Sequence, residues 1–371
     1  MSKLYSPLQL GPYTLSHRVA LAPMTRLRTI QPGDIPSPMM AKFYGQRASE
    51  GGLEIVEGVS ISVLARSYLG AASFYHDGQM DGWKAVADAV HAKGGHVFMQ
   101  LIHGGRQSHV DMTGGATPVA PSVAPFDGIA LTHNGWVPVS PHRALTIEEI
   151  AGVVEDFRVA AQRAKDAGFD GVELHGANGY LVDQFIQDGS NKRTDKYGGP
   201  IENRVRFLRE SIEALISVWG ADRVGVRVSP SGEWGGVSDS HPQATFSYVA
   251  RLLDGYGLAY LHVIEPRIKG DDTLHEGQPP VAAKSLRPFF KGVLIAAGGF
   301  DRESAQAIVD AGDADVVAFG RHFTSNPDLP YRLKQHLPLA PYIRDHFWGG
   351  TEEGYTDFPA LEPVADAAVA V

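Results

Sequence analysis

The chain has 371 residues, of which 43% are hydrophobic, and its formal net charge is −9 at pH 7. It contains no cysteine, which excludes disulfides, thiol nucleophiles, iron–sulfur clusters and cysteine-ligated zinc. The acidic balance, without any basic stripe, argues against a nucleic-acid partner.

No apolar run reaches the ~18 residues that a membrane-spanning helix needs. The first residues contain no apolar core followed by a cleavage site, so no signal peptide is expected. We therefore expect a cytoplasmic protein with no membrane partner. The sequence leaves open whether it is a monomer or a homo-oligomer.

Short apolar runs rich in β-branched residues predict eight strands. They are continuously apolar, as expected for parallel strands covered on both faces. Amphipathic stretches between them predict helices, and the one at 146–167 opens with a capping box of Thr146 and Glu149. The predicted strands are 19–23, 53–61, 96–102, 171–174, 224–229, 260–264, 293–297 and 316–320, and the main predicted helices are 79–93, 146–167, 201–219, 243–256, 302–310 and 327–336.

Alternating strands and helices in this number favour an α/β fold, a single (β/α)8 TIM barrel. The rival is an open doubly wound sheet, which usually carries a Gly-x-Gly-x-x-Gly turn that is absent here. The segment 104–143, rich in Gly, Pro, Ser and Thr, is a long loop insertion after strand 3. Because it follows the C-terminal end of a strand, it is expected at the face where barrel active sites form.

Two glycine-containing turns end the last two predicted strands, Gly298-Gly299 and Gly320-Arg321. Glycines let backbone N–H groups approach an anion, and an arginine adds a bidentate charge, so together the turns predict a phosphate site. The plainer reading of Gly298-Gly299 is a tight turn between strand and helix.

Two polar residues interrupt the apolar strands. Arg227 requires an anionic or strongly polar partner, which is either a structural salt bridge to Glu173 or Glu265, or a flavin ring. Gln100 offers a donor and an acceptor that match a flavin pyrimidine edge, although it could equally be a satisfied core glutamine.

The strongest cluster follows the fourth predicted strand. His175 and Asn178 can both donate hydrogen bonds to one oxygen and so polarise a carbonyl or nitro group. Tyr180 is a weak acid that can deliver a proton. Individually these residues are more often a core histidine and a capping asparagine, but three within six positions favour a site. The histidines form no compact ligand set, and no metal is expected.

These residues lie within a pattern that resembles the old yellow enzyme family, similar to bacterial N-ethylmaleimide and nitrate-ester reductases and plant 12-oxophytodienoate reductases. The resemblance spans nearly the whole chain. Its markers are Ala22-Pro23-Met24-Thr25-Arg26, Tyr44-x-Gln46-Arg47, His175-Gly176-Ala177-Asn178-Gly179-Tyr180, Arg227-Val228-Ser229-Pro230, Ala318-Phe319-Gly320-Arg321 and Gly354-Tyr355-Thr356-Asp357.

The resemblance implies one FMN-binding barrel domain over residues 1–371, with a tail after about residue 360 expected to be mobile. FMN would be bound tightly but not covalently, with NADPH or NADH as reductant. The cofactor residues that the resemblance implies are Pro23, Met24, Thr25, Gly58, Gln100, His175, Arg227, Gly298, Gly299, Gly320 and Arg321. The implied substrate residues are Thr25, Tyr68, Ile102, His175, Asn178 and Tyr180, and either Phe347 or Trp348 closes over the flavin edge.

The implied reaction is a ping-pong reduction of α,β-unsaturated carbonyl, imide or nitro compounds. Hydride passes from NAD(P)H through FMN N5 to the β-carbon, and Tyr180 protonates the α-carbon. His175, Asn178 and Tyr180 are thus the implied catalytic residues.

The sequence departs from this pattern at a few positions. Asn178 stands where the nearest bacterial members commonly have His, Ile102 where they often have Trp, and Gly58 where Ala is usual. These departures bear on substrate range. Nitrate-ester or nitro-group reduction is the alternative within the family, and a flavin-free aldolase or isomerase is the alternative outside it.

Overall fold

The computed structural model describes residues 2–266 and 281–361, so nearly all of the predicted mobile tail lies outside the described residues. The strands are β1 (Leu8–Leu10), β2 (Tyr13–Leu15), β3 (Val19–Leu21), β4 (Leu53–Ser60), β5 (His96–Ile102), β6 (Val119–Ala120), β7 (Ile129–Thr132), β8 (Gly135–Pro138), β9 (Arg143–Ala144), β10 (Gly171–Gly176), β11 (Val224–Val228), β12 (Tyr260–Ile264), β13 (Leu294–Ala297) and β14 (Val316–Phe319). The helices are α1 (Pro38–Arg47), α2 (Met80–His91), α3 (Ile147–Asp166), α4 (Leu181–Ile186), α5 (Ile201–Arg204), α6 (Arg206–Trp219), α7 (Pro242–Asp254), α8 (Ala283–Leu286), α9 (Arg302–Ala311), α10 (Arg321–Ser325) and α11 (Leu329–Lys334).

Eight parallel strands close into a barrel in the order β3-β4-β5-β10-β11-β12-β13-β14. These are the eight strands expected from the apolar runs, with ends that differ by a few residues. The predicted TIM barrel is therefore confirmed, and the open doubly wound sheet is excluded. The carboxyl ends of all eight strands meet at one face, called here the upper end of the barrel.

The barrel interior is apolar at its lower end, where the strands begin. Phe98, Tyr260, Ile295 and Val316 pack there in one buried cluster. The hairpin of β1 and β2 joins this cluster through two leucines and so closes the lower end. This hairpin has no strong sequence signal and was not predicted. A second, larger cluster lies outside the barrel and packs the helices against the strands.

The predicted helices occur at the predicted places in the chain, but some differ in length or continuity. Thr146 and Glu149 form the predicted capping box of α3. The prediction of one helix over 201–219 was wrong, since the chain forms α5 and α6 with Val205 between them. The predicted helix over 327–336 is shorter, because α11 spans only Leu329–Lys334. Helices α1, α4, α8 and α10 were not predicted.

The segment 104–143 lies between β5 and α3 and carries the short strands β6 to β9. Strands β7 and β8 form an antiparallel hairpin that pairs Leu131 with Trp136. Half of the Trp136 surface is exposed. The insertion is therefore partly ordered as a small hairpin and not a structureless loop. Within the described residues, no helix combines the length and apolarity required to span a membrane.

Candidate active site

A polar layer lies directly above the apolar lower end of the barrel interior. Gln100 is two residues beyond Phe98 on β5, so both side chains face the interior. The Gln100 amide donates to Oε1 of Glu173 at 2.7 Å, and His262 Nδ1 lies 2.8 Å from Oε2 of the same carboxylate. All three side chains are buried. Because an ionised carboxylate only accepts hydrogen bonds, Glu173 fixes the amide orientation of Gln100 and the proton position of His262.

Neighbouring groups keep the Glu173 carboxyl in its ionised form. Burial alone would raise the pKa of Glu173, but His262, Arg227 and Gln100 together lower it. Burial lowers the pKa of His262, and the positive charge of Arg227 adds to that effect, which outweighs the opposing effect of the Glu173 carboxylate. The layer therefore contains an ionised Glu173 beside a neutral His262.

Arg227 lies in the same layer, on β11, where it pairs in register with His262 on the neighbouring strand β12 and with His175 on the neighbouring strand β10. Its Nε atom is buried and has no hydrogen-bond partner among the described residues. Glu173 acts on Arg227 only through its charge, and Glu265 instead accepts a hydrogen bond from the backbone N–H of Ala283. The direct salt bridge considered from the sequence is thus not formed within residues 2–266 and 281–361. A buried guanidinium in this state is suited to a polar or anionic ligand.

His175 is at the upper end of β10, in register with Arg227. Burial, reinforced by Arg227 and His262, lowers its pKa well below the ordinary value, so the imidazole is neutral. Its Nδ1 atom is buried and without a partner in the described part of the chain. The ring centroids of His175 and Tyr180 are 5.3 Å apart. The two side chains therefore face one space.

Tyr180 is the N-cap residue of α4, a helix that the sequence analysis missed. Burial raises the pKa of Tyr180 well above its ordinary value, and the neighbouring Tyr68 contributes. The hydroxyl is thus fully protonated near neutral pH. Between His175 and Tyr180 the chain turns through Asn178, which has a left-handed backbone with φ of 55°.

The ends of β13, β14 and β3 bring three of the predicted cofactor segments together. Ala297 pairs with Ala318, so the turns Gly298-Gly299 and Gly320-Arg321 leave adjacent strands. A Cβ atom on Gly320 would lie 3.1 Å from Sδ of Met24. Arg321 donates a 3.4 Å hydrogen bond to the Tyr342 hydroxyl. The predicted phosphate turns are therefore neighbours, and Met24 of the Pro23-Met24-Thr25 segment lies against Gly320.

Gly58 lies on β4, the strand next to β3, where two side chains from β5 approach its backbone closely. A Cβ atom at this position would lie 3.3 Å from Oε1 of Gln100 and 3.3 Å from Cγ2 of Ile102. Alanine here would crowd both side chains. Gly58 and Ile102, the two positions that depart from the family pattern, therefore lie beside each other and beside the amide of Gln100.

An aromatic rim lies at the upper end and consists of Tyr68, Trp136 and Trp348. The rings of Tyr68 and Trp136 are 5.9 Å apart, and those of Trp136 and Trp348 are 6.5 Å apart. Phe347 instead contacts Tyr342, next to Arg321. The two aromatic residues proposed to cover the flavin thus face different parts of the site, with Trp348 beside Tyr68 and Phe347 toward the phosphate turns.

The C-terminal segment that carries Phe347 is anchored by Arg26. Its guanidinium donates to the carbonyl oxygen of Phe347 at 2.8 Å and to that of His346 at 3.2 Å. It also lies over the ring of Tyr355, 4.9 Å from the centroid. The segments around Arg26 and Tyr355, both markers of the family resemblance, are therefore in direct contact with each other.

The residues present fit FMN. The unpartnered Nε of Arg227 and the Gln100 oxygen at Gly58 are available to the flavin ring. Gly298 and Gly299 both have positive φ, of 115° and 65°, a conformation that favours glycine, and without Cβ atoms their backbone can approach a phosphate closely. By contrast, no group of three or more side chains in the described ranges is placed to hold a metal ion.

Sequence reasoning missed three residues of this region as functional candidates. His262 was seen only as part of a strand, although a polar residue in an apolar run was the signal used for Gln100. Asp183 and Ser229 bind the turn at Asn178. Asp183 had no usable signal, because its helix was not predicted.

The family model described as NADH:flavin oxidoreductase / NADH oxidase matches residues 3–340. The chain is 41% identical to 12-oxophytodienoate reductase 2 of Arabidopsis thaliana, over 98% of this chain and 96% of the relative. A solved morphinone reductase in complex with tetrahydroNAD is 46% identical, with a TM-score of 0.89 and coverage of 97% and 98%. An old yellow enzyme homologue from Zymomonas mobilis is 39% identical, with a TM-score of 0.93 and coverage of 96% and 99%.

Proposed function

Since the chain belongs to the NADH:flavin oxidoreductase / NADH oxidase family, we propose that it is an ene-reductase acting on α,β-unsaturated carbonyl, imide or nitro compounds. The observation that carries this proposal is the placement of neutral His175 and protonated Tyr180 around one space, directly above the Arg227 layer. An activated alkene needs both a donor to its oxygen and a proton for its α-carbon.

Membership of the family confirms three predictions made from the resemblance. The protein is an oxidoreductase, its cofactor is FMN, and a nicotinamide is its reductant. The flavin-free aldolase or isomerase considered from the sequence is excluded. The chemistry that FMN supplies when bound is hydride transfer, from NAD(P)H in one half-reaction and to the β-carbon of the alkene in the other.

Several groups would hold the flavin. Arg227 and Gln100 would bind the ring, with Pro23, Met24, Thr25, Gly58 and His175 around it. Gly298, Gly299, Gly320 and Arg321 would bind the phosphate. This assignment is supported by the adjacency of the two glycine turns and by the unpartnered guanidinium of Arg227. A fixed positive charge at the ring stabilises the negative charge that reduction adds.

His175 and Asn178 would bind the substrate oxygen. A neutral imidazole donates an N–H without competing for a proton, and the Asn178 side chain makes no hydrogen bond to any residue that the structure describes. Two donors aimed at one oxygen draw electron density from the alkene and make its β-carbon electrophilic. Ile102 and Tyr68 would line the remaining pocket.

Tyr180 would hold the proton for the α-carbon. Its raised pKa keeps the phenol protonated, and its position at the start of α4 directs the hydroxyl toward the space that it shares with His175. A positioned acid of this kind typically contributes about 10²- to 10⁴-fold to a rate.

The test separates the two half-reactions of Tyr180→Phe by anaerobic stopped-flow spectroscopy. We expect flavin reduction by NADPH to be unchanged and reoxidation by an enone to slow by roughly 10²- to 10⁴-fold. Tyr256→Phe, the same substitution at a partly exposed tyrosine bonded to Glu213, is the matched control. Equal slowing of both half-reactions would reject Tyr180 as the proton donor. A wild-type enzyme that reduces no activated alkene would reject the proposed function.

A further inference from the structure

The turn that carries Asn178 has an unusual backbone. Asn178 and Gly179 are both left-handed, with φ of 55° and 67°. A Cβ atom on Gly179 would lie 2.1 Å from the carbonyl oxygen of Trp234, so only glycine fits there. A left-handed residue other than glycine persists only where its surroundings hold it. The turn therefore depends on the groups that bind its backbone.

Two buried side chains bind the two N–H groups of this turn. The N–H of Asn178 donates to Oγ of Ser229 at 2.8 Å, and the N–H of Gly179 donates to Oδ2 of Asp183 at 2.8 Å. Ser229 Oγ in turn lies 3.3 Å from the same Oδ2. Because a carboxylate only accepts, the Ser229 hydroxyl donates to Asp183 and uses its lone pair for Asn178.

The opposite oxygen of Asp183 is also occupied. Its Oδ1 accepts a 2.8 Å hydrogen bond from the side-chain amide of Gln187, the residue that follows α4. Three donors therefore converge on a carboxylate that is fully buried. On the other side of the turn, the carbonyl oxygen of Asn178 accepts from Gln107 at 2.9 Å. The backbone of Asn178 is fixed at both its N–H and its C=O.

We propose that Asp183 and Ser229 are positioning residues that set the direction of the Asn178 side chain toward the substrate oxygen. Neither residue touches the substrate. They act through the backbone of the Asn178-Gly179 turn. This inference rests on the proposed function, because it gives a purpose to the direction of the Asn178 amide.

The surroundings of Asp183 make this role sensitive to pH. Burial is the main cause that raises the pKa of Asp183 to about 7, and the negative charge of Asp239 adds to it. The hydrogen bonds from Gln187, Gly179 and Ser229 oppose that rise. Asp239 is itself paired with Arg204 at 2.7 Å. The ionised form of Asp183 is therefore lost as pH falls through about 7, and a protonated carboxyl can no longer accept from all three donors.

The experiment measures the dissociation constant of a phenol, an oxygen ligand for His175 and Asn178, through the flavin absorbance of the FMN-loaded enzyme. For Asp183→Asn at about pH 8.5 we expect binding to weaken about tenfold, the value of roughly one hydrogen bond. The ratio of variant to wild type should approach one near pH 6, where the wild-type carboxyl is protonated. Taking the ratio at each pH cancels the ionisation of the phenol itself.

Asp188→Asn is the matched control, since it removes a carboxylate in the same segment that bonds to Ser240 and not to the turn. Ser229→Ala is the second variant, and it should weaken phenol binding to a similar extent. The losses in the double variant should be less than multiplicative, because the Ser229 hydroxyl also bonds to Asp183 and the two residues are therefore coupled. FMN content and melting temperature report whether each variant is folded.

Three outcomes would overturn the inference while leaving the proposed function intact. They are wild-type phenol affinity in Asp183→Asn, a tenfold loss that is the same at every pH, and fully multiplicative losses in the double variant. A wild-type enzyme that binds no phenol and reduces no alkene would instead reject the proposed function.

Discussion

The two ends of the barrel interior are built from the same strands and differ completely in character. On β5, Phe98 packs at the lower end and Gln100 joins the polar layer two residues later. On β12, Tyr260 and His262 make the same change. Since side chains alternate along a strand, a step of two residues stays on one face and moves one layer up. The barrel thus separates packing from chemistry by a single layer.

The difference shows where this protein tolerates unfavourable groups. The lower end is apolar and dense, and the ring of Phe98 lies only 2.5 Å from where a Cβ atom on Gly171 would be. The upper end holds a buried charge, Arg227, whose Nε has no partner among the described residues. A buried unpaired polar group costs stability, so the packed lower end must offset it. Three substitutions test this division between packing at the lower end and chemistry at the upper end, and they follow from the largest expected effect to the smallest.

Phe98→Ala should have the largest effect and should act on stability alone. Its side chain is fully buried against Tyr260, with ring centroids 5.6 Å apart. Removing a buried aromatic ring costs roughly 3–5 kcal/mol of the free energy of unfolding. Urea denaturation of the apoprotein measures this, and FMN affinity should change little. Ile129→Ala, at an exposed position in the β7 and β8 hairpin, is the control.

Arg227→Met should have the second-largest effect, and it should lower FMN affinity and not stability. It keeps an apolar stem but removes the guanidinium, so we expect FMN affinity to fall about a hundredfold, or about 2.7 kcal/mol. Fluorescence titration of the apoprotein with FMN measures it. Arg223→Met, at the residue just before the lower end of the same strand and near Tyr13, should leave FMN affinity unchanged. Equal losses in both variants would remove the distinction between the two ends.

His175→Ala should have the smallest effect, a roughly tenfold loss of phenol affinity from one lost hydrogen bond. His96→Ala, at the lower end with its ring centroid 4.7 Å from that of Tyr13, is the control. The pKa of His175 lies well below its ordinary value, so the imidazole stays neutral across the neutral range. We therefore expect no weakening of phenol binding that follows a histidine titration as pH rises from about 6 to about 8, the direction opposite to the effect of Asp183. Such a weakening would mean that the charged imidazole binds the ligand.

The sequence predicted the barrel because its strands are buried on both faces and read as uninterrupted apolar runs. It failed for the β1 and β2 hairpin, whose strands have three residues each. It also failed for α4, a helix of six residues that begins directly after Tyr180. Elements this short carry too little periodicity to be distinguished, and tertiary packing stabilises them.

For the site, the sequence alone identified residue types at strand ends: the glycine turns, Arg227, and the group from His175 to Tyr180. Family resemblance supplied FMN and the oxidoreductase reaction, which membership of the family then confirmed. The individual roles of these residues stay predictions until the variants above are measured. The sequence could not show that Glu173 binds Gln100 and His262 rather than Arg227.

What the sequence determined by itself is the order of the strands and the chemical groups at their ends, since both follow from local pattern. Only the tertiary structure decided which of those groups meet. Asp183 and Ser229 are 46 residues apart in the chain, yet they converge on the turn at Asn178. Contacts over such distances depend on barrel closure and on the depth of each side chain in the interior. Burial then sets the charge states of the groups that meet at the upper end.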